Sequence, residues 1–127
     1  MAEAKELFEL SDAEIVNDKG RIHIAERLLQ LIVDSLIDVN QHFIKELNLK
    51  TPDDLQSTFY IMGEGEVLPA EFARKIAPVV GLRNRIVHRY DTLNKVLFIE
   101  TFRKNIDDFG KYIVLITDYV EKIKEKE

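Results

Sequence analysis

The chain has 127 residues, 46% of them hydrophobic and 32% charged, which is enough for one domain with a buried core and far from the composition of a disordered chain. Its net charge of −5 excludes a surface that grips long nucleic acid indiscriminately, and its lack of cysteine excludes disulfides, thiolate metal sites and a cysteine nucleophile. No apolar leader follows Met1, and no run approaches the roughly 18 apolar residues of a membrane span. A single cytoplasmic domain over residues 1–127, with no membrane contact and no cofactor, is therefore expected.

Apolar residues recur at helical spacing nearly throughout, and no run alternates with period two, so the expected class is all-α. The first ten residues read as a short helix ending near Ser11, where Ser11 and Glu14 have the spacing of a capping box. A long helix runs from about Lys19 to Leu47. Ala25, Leu29, Ile32, Leu36, Val39 and Phe43 form its stripe, and Ile24, Leu28 and Leu31 widen it enough to imply burial on two sides. A third helix is expected from Thr51 as N-cap, with Pro52 in the first helical position and Asp53 and Asp54 at the positive end, stopping near Gly63. Pro69 opens a fourth segment reaching to about His88, with a kink or break at Pro78, which removes one backbone hydrogen bond.

The last helix, from about Leu93 to Lys124, carries Ile99, Phe102, Ile106, Phe109, Ile113, Ile116, Val120 and Ile123 three and four residues apart, a heptad seam. Its length, roughly 45 Å, exceeds what a small monomer covers. An up-and-down bundle of four to five helices, extended by a second subunit, fits this pattern.

One segment departs from simple core patterning. Between Gly81 and Asp91 the charge reverses, since Arg83, Arg85 and Arg89 face only Asp91. On a helical wheel Phe72, Ile76, Val79, Val80, Ile86 and Val87 share one face with Arg83 at its centre, a costly place for a guanidinium unless it is paired or reaches a polar cleft. A continued helix would put His88 roughly 140° away from Arg83, so the two can cooperate only if the helix ends or distorts after Val87, or if the cleft lies along a dimer interface. Metal-free RNA cleavage needs a proton-transfer group near neutral pH and a cation for the phosphorane, which His88 and Arg83 could supply. The residues equally admit a helix cap at His88 and an ion pair between Arg83 and a buried carboxylate. Asp34, Asp38 and His42 repeat every four residues and read as a solvated face, because no second cluster completes a metal site.

Arg83, Asn84, His88 and Tyr90 resemble the R-N-x3-H-x-Y motif of HepT-like HEPN proteins, and Ala25-Glu26-Arg27-Leu28-Leu29-Gln30 is similar to that family's A-x-E-R-x-L-Q pattern with one residue missing between Ala and Glu. The resemblance covers about residues 11 to 124. It implies an HEPN-like homodimer whose two motifs line one cleft and cut RNA without metal, leaving 2′,3′-cyclic phosphate ends. Arg83 and His88 would be catalytic, and Asn84, Arg85, Arg89 and Glu26 would bind RNA or support the site, Glu26 by pairing with Arg83. The resemblance further implies a toxin–antitoxin pair in which a minimal nucleotidyltransferase, MntA, attaches AMP to Tyr90, placing negative charge where RNA phosphate should sit. HEPN domains also include non-catalytic subunits, so the alternative is a nucleotide- or partner-binding subunit of a nucleotidyltransferase complex.

Overall fold

A computed structural model describes residues 1–88 and 94–126. Among them are α1 (Ala2–Leu7), α2 (Asp12–Val16), α3 (Lys19–Glu46), α4 (Ser57–Glu64), α5 (Ala70–Ile76), α6 (Val79–Val87) and α7 (Lys95–Lys126), with no strand. The fold is all-α, as the sequence predicts. It divides into two compact units, residues 1–36 with 79–106, and residues 37–78 with 107–127. Both long helices, α3 and α7, contribute to each unit.

In the first unit, α2 starts with the capping box read from sequence. Ser11 Oγ accepts from the Glu14 amide, and the Glu14 carboxylate accepts from the Ser11 amide, both at 3.2 Å. These bonds hold the Glu14 carboxyl below its ordinary range, the backbone bond foremost. Ala4, Leu7, Ile15, Ile22, Ala25, Leu29, Val33, Phe98, Ile99 and Phe102 are buried here. Phe8 packs edge-on against Phe102, with ring centroids 5.0 Å apart. Arg103 ties the link between α1 and α2 to α7: its Nε donates to Asp12 at 2.7 Å, Nη1 to the Phe8 carbonyl at 2.9 Å and Nη2 to the Leu10 carbonyl at 2.8 Å. The planar fork of arginine suits this task, since it reaches several acceptors in one plane.

The widened stripe of α3 has only partial cover. Ala25, Leu29 and Leu36 are buried, but Ile24 stays 53% exposed and Leu31 45%. Ile22 and Val33 are buried on the same side of α3 as Ala25 and Leu29.

In the second unit, α4 lies against α5 so closely that a Cβ on Gly63 would sit 3.0 Å from the Ala73 Cβ. The expected start of α4 at Thr51 is not observed. Helix begins only at Ser57, with Gln56 as its N-cap, and the turn just before it is closed by a reciprocal pair: the Asp54 carboxylate accepts from the Ser57 amide at 2.7 Å, and Ser57 Oγ accepts from the Asp54 amide at 3.2 Å. Pairing those two residues commits the segment between them to a turn rather than to helix. At the other end, Glu66 takes φ 62°, with the Val67 amide on the Met62 carbonyl and the Glu66 amide on the Gly63 carbonyl, closing the helix in a Schellman turn. Asn48, at φ 52°, closes α3 in the same way.

A buried polar chain crosses this unit. Tyr112 donates to Asn40 Oδ1, Asn40 Nδ2 donates to Thr58 Oγ1 at 3.1 Å, and Thr58 donates to the Leu55 carbonyl at 2.6 Å. Burial pushes the Tyr112 phenol far above its ordinary range, so it remains a donor at any physiological pH. On α7 the heptad seam is buried at Ile99, Phe102 and Phe109, but Ile113 is 48% exposed. Tyr112 takes the inward position in that turn, with 2% exposure.

The break expected at Pro78 is present. α5 stops at Ile76 and α6 begins at Val79, so the segment from Pro69 to His88 is two helices. No helix among the described residues is long and apolar enough to cross a membrane.

Candidate active site

Arg83 lies on α6 among Val79, Val80 and Ile86, and its side chain retains 18% exposure. A guanidinium so enclosed needs acceptors, and two are supplied. Nε donates to Asp34 Oδ1 on α3 at 2.7 Å, a short charge-assisted bond, and Nη1 donates to Asn84 Oδ1 at 3.0 Å. Asn84, adjacent in sequence, thus gives its side-chain oxygen to the arginine.

The Asp34 contact revises two sequence-based expectations. Glu26, expected to pair with Arg83, lies instead 3.4 Å from His23 Nδ1. Asp34, read as one member of a solvated face with Asp38 and His42, is the residue that meets the arginine. His42 packs edge-on against Phe43, with centroids 5.9 Å apart. Among the described residues no group of three or more His, Asp or Glu side chains gathers as metal ligands would.

α6 ends at Val87. His88 therefore stands just past the helix, with its amide still on the Asn84 carbonyl at 2.9 Å and its side chain exposed. Arg85 is exposed on α6. Arg89 and Tyr90 lie outside the described residues. The structure thus joins Arg83, Asn84 and Asp34 in one hydrogen-bonded group, next in chain order to His88.

The arrangement carries the elements of phosphate chemistry. A fixed guanidinium matches phosphate oxygens with its planar N–H donors, and an imidazole is a side chain that can serve as general acid or base. Comparison with known families supplies the context for these parts. Residues 1–116 match the family model described as HepT-like, ribonuclease HepT-like. The chain belongs to the HepT-like ribonuclease family.

Among curated HepT relatives, a tRNA nuclease HepT of Aphanizomenon flos-aquae is 35% identical over 105 residues, 81% of this chain and 70% of that protein. An mRNA nuclease HepT of Shewanella oneidensis is 25% identical over 112 residues, 88% of this chain and 76% of that protein. A solved toxin–antitoxin structure with AMP-PNP superposes with a TM-score of 0.74 at 22% identity, covering 80% of this chain and 76% of that one, which speaks for a shared fold.

Proposed function

We propose that this HepT-like chain is a metal-independent RNA endonuclease and the toxin of a toxin–antitoxin pair. The observation that carries the reading is the motif itself in its structural setting: Arg83 held on α6 by Asp34 and Asn84, with the helix ending one residue before His88. His88 moves the proton, either from the attacking 2′-hydroxyl or to the leaving 5′-oxygen, and Arg83 stabilises the charge that gathers on the phosphorane. Arg85, exposed on the same helix, and Arg89 hold the RNA backbone. The 2′-hydroxyl bonds to phosphorus as the 5′-oxygen departs with a proton, which leaves a 2′,3′-cyclic phosphate.

Support for the nuclease comes from family membership and from the tRNA- and mRNA-cutting relatives. The antitoxin in this proposal is a minimal nucleotidyltransferase of the MntA kind that places AMP on Tyr90. A phosphoryl group there repels RNA phosphate. The catalytic unit is a homodimer, in keeping with the apolar side chains that α3 leaves uncovered at Ile24 and Leu31.

The test is cleavage of labelled tRNA and mRNA by wild type, His88→Ala, Arg83→Ala and Arg89→Ala, each first shown to be folded. His88→Ala is expected to lose about 10² to 10⁴ in rate, and Arg89→Ala mainly affinity, in a salt-dependent way. Cleavage survives EDTA. Incubation with the cognate nucleotidyltransferase and ATP adds adenylyl mass to wild type and none to Tyr90→Phe. Undiminished cutting by His88→Ala, or its abolition by chelation, overturns the mechanism; RNA left whole by every variant and by wild type favours the binding subunit.

A further inference from the structure

We infer that Asp34 is a positioning residue for the reaction, acting through Arg83 to aim the guanidinium at phosphate. The inference rests on the ribonuclease reading above. Its basis is the division of labour within one side chain. An arginine has five N–H donors in a rigid plane. Here Nε is bound to Asp34 Oδ1 at 2.7 Å and one Nη1 hydrogen to Asn84 Oδ1 at 3.0 Å. Among the described residues neither hydrogen of Nη2 meets an acceptor. Two anchors, one from α3 and one from the next residue on α6, fix both the position and the tilt of the plane, while Nη2 and the remaining Nη1 hydrogen stay available to an anion.

The exposures agree with this role. Arg83 is largely enclosed at 18%, so its position is set by its neighbours, whereas the Asp34 side chain is 37% exposed and so is not a fully desolvated charge that demands neutralisation. Asp34 comes from a different helix, 49 residues away in sequence, and the bond therefore also fixes α6 on α3 at the motif. Loss of such an anchor leaves a flexible cation near the right place. A misplacement of about 1 Å is enough to cost on the order of 100-fold in rate.

A second role for the same carboxylate would have the opposite sign. If Asp34 competed with phosphate for Arg83, removing it would strengthen RNA binding and speed cleavage. The geometry favours positioning, because Asp34 occupies Nε and leaves the Nη2 end open.

The experiment has two arms, on full-length wild type, Asp34→Ala, Asp34→Asn, Arg83→Ala and the Asp34→Ala/Arg83→Ala double variant, each checked for helicity and melting temperature. The first arm needs no activity: the Nε–H resonance of Arg83, assigned by its loss in Arg83→Ala, is followed by nitrogen-15 nuclear magnetic resonance. It is expected to be shifted and slowly exchanging in wild type and to lose both properties in Asp34→Ala. The second arm is single-turnover RNA cleavage. Asp34→Ala is expected to lower the maximal rate about 10- to 100-fold with little change in half-saturating RNA concentration, and Asp34→Asn, which keeps the acceptor, to recover most of the loss. In the Arg83→Ala background the Asp34 substitution is expected to add nothing, since its effect passes through the guanidinium. An Arg83 resonance indifferent to Asp34→Ala overturns the pairing whatever the activity. Faster cleavage by Asp34→Ala, or a full further loss in the double variant, overturns the positioning role. If wild type cuts no RNA while the resonance does depend on Asp34, it is the ribonuclease reading that fails, and the catalytic use of the pair falls with it.

Discussion

Tyr112 shows how much a single hydroxyl can hold at the residue scale. Its hydrogen bond to Asn40 Oδ1 completes a buried chain that passes through Thr58 to the Leu55 carbonyl, and Asn40 and Thr58 are fully buried. Tyr112→Phe keeps the ring against Phe59 but strips that donor from Asn40. The expected cost is about 1–3 kcal/mol, the price of a buried polar atom left short of a partner, measured as a lower urea midpoint at unchanged slope; an unmoved midpoint would show that the amide finds another donor. The residue scale also shows where sequence reasoning runs out. Arg83 was legible because a guanidinium at the centre of an apolar face has to be explained. Its partner was not, because Asp34 shares a four-residue repeat with Asp38 and His42, and helical periodicity alone cannot say which member of such a repeat faces another helix. Glu26 was the natural guess from the family pattern, yet it lies beside His23.

Helix ends divide along similar lines at the scale of elements. The cap at Ser11 and Glu14 was legible because both partners of the box lie within four residues, and the break at Pro78 because proline lacks the amide that a helix needs. The start of α4 was misplaced because the Thr51-Pro52-Asp53-Asp54 pattern does not announce the Asp54–Ser57 pair, which holds the segment before Ser57 in a turn. The Ser11 box also has a signature in pH. The Glu14 carboxyl is held below its ordinary range in the folded state, first by the Ser11 amide. A depressed carboxyl stabilises the fold above its unfolded pKa, and that contribution fades as pH falls through the folded value. Thermal melts of wild type and Glu14→Gln from pH 7 down to pH 3 are therefore expected to converge at the acid end, with wild type ahead only at the higher pH. A gap that stays constant across the range would show that the side chain contributes through shape and neutral hydrogen bonding alone.

For the whole molecule, the open question is what covers the apolar side chains that one chain leaves in water. Ile24 and Leu31 stand seven residues apart, hence on one face of α3, and remain 53% and 45% exposed. The sequence marked both as surplus to a single core, and the structure of one chain leaves them so. A second copy meeting this face about a two-fold axis presents each side chain twice. Covering the exposed half of an isoleucine or leucine is worth about 1 kcal/mol, so the four side chains together supply about 4 kcal/mol, roughly a thousandfold in dissociation constant. Light scattering at micromolar concentration is accordingly expected to give the mass of a dimer for wild type and of a monomer for Ile24→Glu/Leu31→Glu, with helicity by circular dichroism equal in the two. Cleavage of RNA should fall with dimer content if the paired motifs share a cleft. A wild-type monomer of full helicity would refute the dimer, and a double variant that stays dimeric would move the interface to another face, with Val96 and Leu97 at the start of α7, 48% and 54% exposed, next to be substituted.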